Sequence, residues 1–441
     1  MKRSVKTLLA MVLAAAVLTA LAGLGALDTL DYAACDALYQ SRAASDGEVV
    51  LIGIDDRAIA ELGPYSQWSR EIIAQVLDLL NASEDCRPAA IGIDVLYTGD
   101  SSPEADRALA EAAGRYGNVV AACLAQFGAD TAEDGSGEYY LEDFTLRAFE
   151  EPYEALGDAA ALGHINAMLD DDGVLRHHLL RYTAPDGRDI PSMALAVAQM
   201  YRDYWDLGPV ELPPVDAHNF WYVPFTGLPG DFSESISVAD VLSGEWTAED
   251  FADRAVLIGP YTAGLQDSYV TSIDHARQMY GVEFQANAIQ ALLNGTYKRA
   301  VSDRLQLAAL FALLLLGMWG FWRRKVAAAA ALWAALCGGW LALCWGMYQA
   351  GWILHALWVP AGVTILFALC LAVNYIQAAA ERRQVTNTFK RYVAPEIVNE
   401  ILKEGTEALE LGGKLTNIAV LFVDVRGFTT MSEMLEPPQV V

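Results

Sequence analysis

Three apolar runs crowd into the last third of the chain: Leu305 to Trp322, Val326 to Tyr348 and Trp352 to Ile376. Each has roughly 18 to 25 residues, and about 20 in a helix cross the hydrocarbon core of a bilayer. A fourth run, Thr7 to Leu27, follows Lys2, Arg3 and Lys6. These runs commit both flanks of a large intervening segment to an α-helical membrane part. The basic residues give the direction. Lys2, Arg3 and Lys6, then Arg323-Arg324-Lys325, Arg382-Arg383 and Lys390-Arg391 share one side if the N-terminus is inside. The uncharged loop Gln349-Ala350-Gly351 suits the outer side, while Lys298, Arg299 and Arg304 depart from the rule there. Trp319, Trp322, Trp352 and Trp358 stand near span ends, where amphipathic rings settle. Ala20-Leu21-Ala22 also fits a signal-peptidase site, but the apolar run continues past it, which favours a retained anchor. Either outcome puts the next segment outside the cytoplasm, in a multi-pass protein of the inner (plasma) membrane.

The formal net charge of −27 argues against a nucleic-acid partner, because no basic patch is available to neutralise phosphates. The acidity concentrates between Asp28 and Asp274. The six cysteines show no CxxC or Cys/His spacing, so zinc is not expected. Cys337, Cys344 and Cys370 fall inside apolar spans. Cys35, Cys86 and Cys123 leave room for one internal disulfide, with Cys86–Cys123 the candidate pair.

Residues 28–304 read as an α/β layer with largely parallel strands. Glu48–Asp55, Ala89–Tyr97, Asn118–Leu124 and Arg254–Gly259 are short apolar runs of strand length. Trp68–Leu80, Pro103–Tyr116, Ile190–Tyr204 and Val282–Leu293 carry helical signals, with Ile72, Ile73, Val76, Leu79 and Leu80 placed on one face. Asp171-Asp172-Gly173, between Gly163–Leu169 and Val174–Tyr182, is a hairpin signature. Gly128–Tyr140, acidic and Gly-rich, reads as a surface loop.

Open α/β layers take ligands beyond the carboxyl ends of their strands, which singles out Asp55, Asp56 and Asp94. Asp170, Asp171, Asp172 and Arg176 could join the same mouth, or the three acids simply make the turn and Asp94 caps the segment after its strand. His164, His177 and His178 have no carboxylate or cysteine at metal-ligand spacing and read as surface or satisfied core residues.

Six strings run in order through this segment: LIGIDDRAIAELG at Leu51–Gly63, AIGIDVLY at Ala90–Tyr97, LGHIN with DDDGVLR between Leu162 and Arg176, ISVADVLSGE at Ile236–Glu245, AVLIGPYTAGLQD at Ala255–Asp267 and GVEFQAN at Gly281–Asn287. Together they resemble the second class of CHASE domains, extracytoplasmic sensors attached to cyclases and histidine kinases. Asp274-His275-Ala276-Arg277 departs from that pattern, where a proline-bearing strand entry is more usual. The resemblance implies an extracytoplasmic ligand without identifying it.

Past the last span, Ala378–Tyr392 reads as a polar helix with Val385, Phe389 and Tyr392 at helical spacing, broken by Pro395. The chain then reaches NIAVLFVDVRGFTTMSE, Asn417–Glu433. Ile418–Val423 suits a strand buried on both faces and ends on Asp424, a carboxylate at the mouth of such a strand. On spacing alone Asp424 is equally a cap for the next helix. The whole string resembles the first metal-binding segment of class III nucleotide cyclases, and FKRYVAPEIVNEIL resembles their transducing segment. The resemblance implies that Asp424 and the Val425 carbonyl hold Mg²⁺ or Mn²⁺, and that the backbone around Gly427, Phe428 and Thr429 faces the phosphates of ATP (or GTP). It further implies a homodimer and the first strand of an α+β, ferredoxin-like domain.

The organisation expected is an anchor at 1–27, a sensor at 28–304, three spans at 305–376, transducing helices at 377–413 and the start of a cyclase domain at 414–441. The family's second metal aspartate, base-selecting residues and transition-state Asn and Arg are not in the chain, so the chain as written is expected not to catalyse. The rival expectation is a non-catalytic receptor carrying a cyclase-like stub. A histidine kinase would need a phospho-accepting His after the last span, and no His follows His355.

Overall fold

The computed structural model describes residues 2–40, 47–133, 139–232, 236–265, 267–322, 324–389, 417 and 419–436. It divides into two units, residues 1–371 and 372–441.

The first unit begins with helix α1 (Lys2–Gly23), a turn, and α2 (Asp28–Leu38), which meets α1 at a bend of 75°. The core is a sheet of β1 (Val49–Ile54), β2 (Ala90–Ile93), β3 (Val119–Glu133), β4 (Tyr139–Glu150), β5 (Ala161–His164) and β6 (Ala255–Pro260). β6 lies between β1 and β2, β3 follows β2, and β5 follows β3, all parallel. Only β4 is antiparallel, pairing with the far half of β3 from Leu124↔Glu150 to Glu133↔Tyr139. The expected parallel layer is present. Of the acidic segment expected to be a loop, residues 128–133 and 139–140 instead belong to this β3–β4 ribbon, and residues 134–138 lie outside the described residues.

Four helices cover the sheet: α3 (Glu71–Leu80), α4 (Pro103–Tyr116), α5 (Met193–Tyr204) and α6 (Gly281–Asn294). Alternate strand residues feed opposite faces. Val50, Ile52 and Ile54 pack with Ile73, Val76, Leu77 and Leu109; Val49, Leu51 and Leu257 pack with Met193, Val197, Phe284 and Ile289. Both faces are therefore dry, which is why these strands read as unbroken apolar runs. On α3 the buried stripe is Ile73, Val76, Leu77 and Leu80, while Leu79 is exposed. The sheet selected a stripe one position away from part of the expected one.

The expected hairpin forms only its turn. Asp170 and Gly173 close it by backbone hydrogen bonds, but β5 is drawn into the central sheet, Val174–Leu175 pairs with Ser268–Thr271, and His177–Leu179 pairs with Phe220–Tyr222. Gly163 permits this, since a Cβ there would stand 2.6 Å from the Met193 Cα of α5. Cys35, Cys86 and Cys123 are all free thiols, so the candidate disulfide is absent.

Helices α7 (Asp303–Phe321), α8 (Val326–Gln349) and α9 (Trp358–Phe389) follow. These three are long and apolar enough to cross a membrane, and the bent pair α1–α2 offers a fourth crossing. The third begins at Trp358 rather than Trp352, because Trp352–Ile353 pairs with Arg299–Ala300. It runs unbroken into the polar stretch to Phe389, so the last span and the start of the expected transducing helix are one rod. The rest of that transducing segment, including Tyr392 and Pro395, lies outside the described residues.

In the second unit Ala419–Val425 forms no strand, and Val420, Leu421, Phe422 and Val423 are exposed. The expectation of a buried strand is corrected here. A strand needs a ladder partner for its backbone groups, and none runs beside this one among the described residues. Gly427, at φ 79°, precedes a short helix, α10 (Phe428–Met434).

Candidate functional site

Two places in the first unit gather chemistry. One is a cavity of about 390 Å³ at the carboxyl edge of the sheet. It opens where β2 gives way to Asp94, β5 to Ile165 and Asn166, and β6 to the segment carrying Asp267 and Tyr269. Leu96, Leu265, Phe284 and Gln285 complete much of its wall. Gly259 leaves space for this, since a Cβ there would stand 3.0 Å from that of Asp94. The Asn166 side chain clamps Ala125 by accepting from its N–H at 3.0 Å and donating to its carbonyl. Burial, and then the charge of Asp267, raise the Asp94 pKa to about 8. Burial likewise raises that of Asp267.

The other strand-end acids have structural duties. Asp55 caps the helix Asp56–Leu62, accepting from Ala58 N–H at 2.8 Å and from the Ser237 hydroxyl at 2.6 Å. Asp56 accepts from the Thr262 hydroxyl. Asp94 caps nothing. A larger groove of about 900 Å³ lies at the opposite edge of the sheet. Its polar residues largely satisfy one another, as Arg181 does with Asp189 at 2.8 Å and Gln199 with Asp203 at 2.7 Å.

The second place joins the sheet domain to the helices of membrane-crossing length. Arg176, only 4% exposed, spends its five N–H groups on three carboxylates. Nε and Nη2 meet Asp36 of α2 at 2.9 and 2.6 Å, Nη1 meets Asp170 and Asp172 at 2.9 and 2.8 Å, and Nη2 also meets Asp172 at 2.7 Å. Asp170–Asp172 thus make the turn and hold Arg176; they do not line the Asp94 cavity. His177 closes on Asp170 and His275 on Asp36, each at 2.9 Å. Burial works against the Arg176 charge, but Asp172, Asp36 and Asp170 outweigh it and hold its pKa above the ordinary value. Burial also pushes Asp170 and Asp172 up, yet His177 and Arg176 leave Asp170, and Arg176 leaves Asp172, below the usual range.

Beneath this ion cluster lies a collar. Asp31 of α2, fully buried, accepts from the Leu357 N–H and faces His355 Nδ1, both at 2.6 Å. His355 Nε2 meets Asp303 at 3.3 Å, and its ring stacks on Trp358 with centroids 3.6 Å apart. Gln306 accepts from the His355 N–H at 2.7 Å, and the Tyr39 hydroxyl donates to the Leu354 carbonyl at 2.7 Å. One helix, α2, is therefore bonded both to the sheet domain and to the His355–Leu357 segment ahead of α9, and through His355 it reaches Asp303 of α7. Asp31, Asp36, His275 and His355 were not among the sequence candidates. The available signals were acids in a segment adjoining an apolar run, and the departure from family pattern at Asp274–Arg277, which is where α2 docks.

His178 is buried and satisfied, donating from Nδ1 to the Leu179 carbonyl at 2.8 Å and meeting the Gln285 amide at 3.2 Å. His164 is fully buried with neither ring nitrogen bonded, which corrects its reading as a satisfied residue; burial holds it neutral. Among the described residues no three His, Cys, Asp or Glu side chains gather as metal ligands do. Asp424 stands exposed in the second unit, followed by Val425 and by Gly427 at the start of α10. Mg²⁺ takes six oxygens and is commonly bound through one or two carboxylates plus waters and substrate phosphates, so Asp424 and the Val425 carbonyl would supply part of such a set.

An α/β domain pinned through α2 to helices of membrane-crossing length is the architecture of a membrane-attached sensor. The chain belongs to the CHASE2 domain family, whose model matches residues 10–319 and so takes in most of α1 and α7 as well as the sheet domain. A curated relative, an adenylate cyclase of Anabaena cylindrica, is 33% identical over 79 residues, which is 17% of this chain and 16% of the relative. The match thus spans about a sixth of that protein's length. No solved structure matches the chain.

Proposed function

We propose that the protein is a multi-pass receptor of the inner membrane whose CHASE2 sensor, outside the cytoplasm, regulates a class III nucleotide cyclase converting ATP (or GTP) to a cyclic nucleotide and pyrophosphate. The observation that carries this reading is the succession, in one chain, of a CHASE2 match, three helices of membrane-crossing length and the string Asn417–Glu433. The similarity to an adenylate cyclase supports it. Ligand binding outside shifts α2, and the Arg176–Asp36 cluster with the Asp31–His355 collar passes that shift to α7 and α9. The two stalks of a homodimer then change their relative position, a bias on two pre-existing states.

Asp424 supplies one carboxylate toward a divalent ion, Mg²⁺ or Mn²⁺, with Val425 adding its carbonyl. The other donors come from outside the described residues, so no catalytic step is assigned to this chain. The backbone of Gly427, Phe428 and Thr429 approaches the nucleotide phosphates. The rival reading is a receptor whose cyclase-like segment has no catalytic role.

Membranes carrying the product of the full reading frame should form cyclic nucleotide from Mg²⁺- or Mn²⁺-ATP or -GTP. Asp424→Ala should lower the rate by orders of magnitude, because loss of metal charge stabilisation costs several kcal/mol. Full activity in that variant removes Asp424 from the site. Absence of product from both nucleotides favours the rival reading.

A further inference from the structure

The polar lining of the cavity at the carboxyl edge of the sheet has one sign. It presents the carboxyls of Asp94 and Asp267, the phenols of Tyr65 and Tyr269, and the amides of Asn166 and Gln285; no Lys, Arg or His is among its lining residues. Asp94 is only 5% exposed. Asp55 and Asp56, at the end of β1, each accept hydrogen bonds, whereas no described residue donates to the Asp94 carboxyl. An unpaired buried carboxyl is costly. The fold keeps this one where open α/β sheets take their ligands.

We propose that this cavity binds a small organic cation, a primary ammonium on a short apolar body, with the ammonium on Asp94 and the body against Tyr65, Tyr269 and Phe284. The inference rests on the reading of this domain as a sensor and names its ligand class. An ammonium brings three donors and no acceptor, matching the unpaired carboxyl of Asp94. Aromatic faces attract cations further. An anion would meet two carboxyls and no base, and a neutral apolar molecule would leave Asp94 unpaired. The cavity sits at the small end of ligand pockets, which suits a compact amine.

The groups facing Asp94 are Asp267 and Tyr269 from the segment after β6, Tyr65 ahead of α3, Gln285 of α6 and Asn166 after β5. None is a cation. With its pKa near 8, Asp94 is protonated at neutral pH, so an arriving ammonium must displace a proton. Affinity then scales inversely with 1 + 10^(8−pH). That factor falls from about 101 at pH 6 to about 2 at pH 8, so binding tightens about 50-fold across the interval.

The test uses the purified full chain in detergent micelles with phenethylamine and n-pentylamine as probes, and 2-phenylethanol and 3-phenylpropanoate as neutral and anionic counterparts. Titration calorimetry should show at least one amine binding, tightening from pH 6 to 8, with both counterparts at least tenfold weaker. Asp94→Asn should fold, as circular dichroism reports, and lose both the affinity and the pH slope. Asp267→Asn, which keeps Asp94, should move the slope to lower pH and decides the matter if Asp94→Asn does not fold. Failure of both amines to bind at millimolar concentration, equal binding of the alcohol, or a flat pH profile overturns the cation site. A protein that still makes cyclic nucleotide in an Asp424-dependent way while ignoring the amines refutes this site alone. The reverse pattern refutes the cyclase reading alone.

Discussion

Arg176→Met is the most informative perturbation of the contact between α2 and the sheet domain. The guanidinium is buried and makes five hydrogen bonds to three carboxylates, so methionine fills most of its volume but leaves Asp36, Asp170 and Asp172 facing one another. Removing one partner of a buried ion pair costs about 3–5 kcal/mol. At about 2–3 °C per kcal/mol for a domain of this size, Tm should fall by about 6–15 °C. Tryptophan fluorescence during thermal unfolding in micelles reads this directly.

The pH dependence supplies a second check. Asp170 and Asp172 have folded pKa values below their ordinary 3.8. Their contribution to wild-type stability is therefore present above pH 4 and lost as pH falls through the folded values. In the variant that contribution is gone and the carboxylates repel, so its deficit should shrink as pH falls from 7 to 4. Asp36→Ala in the Arg176→Met background should cost much less than Asp36→Ala alone, the signature of a shared interaction. A Tm loss under about 2 °C, or additive single and double variants, would refute the claim that this cluster holds α2 to the sensor.

Further expectations come from the collar and the sheet. Burial works against the charge on His355, but Asp31 and then Asp303 outweigh it and raise its pKa above 6.5. Its contribution is complete below pH 6.5 and lost as pH rises through the folded value, so protection of the Leu357 amide against hydrogen exchange should drop on going alkaline, and His355→Gln should abolish that pH step. Gly163→Ala should destabilise by about 1–3 kcal/mol or more, because the added Cβ meets α5 backbone at 2.6 Å. Gly157→Ala, with nothing nearer than 3.8 Å, should be neutral or stabilising by up to about 1 kcal/mol in chemical denaturation.

The strand positions were legible because both faces of the sheet are dry, so Val49–Ile54 and Ala255–Pro260 are unbroken apolar runs. Asp94 was legible too, by its place after such a run. Its difference from Asp55 was not. Whether a strand-end acid caps a helix or stands unpaired depends on Ala58 and Ser237 in one case and on a cavity wall from four separate segments in the other. The hairpin was misread for a related reason. A turn is coded by four residues, but the partners of its flanking strands are settled by competition across the whole sheet.

Length, apolarity and local period are properties of contiguous residues, and with them the sequence alone determined the helices of membrane-crossing length, the parallel α/β layer and the family strings. Tertiary structure decided which charges meet. Arg176 finds Asp36 across 140 positions, and His355 finds Asp31 across 324. Pairings at that separation leave no periodic trace in the chain. They exist because folding brings distant segments into a space from which water is excluded, where an ion must find its partner.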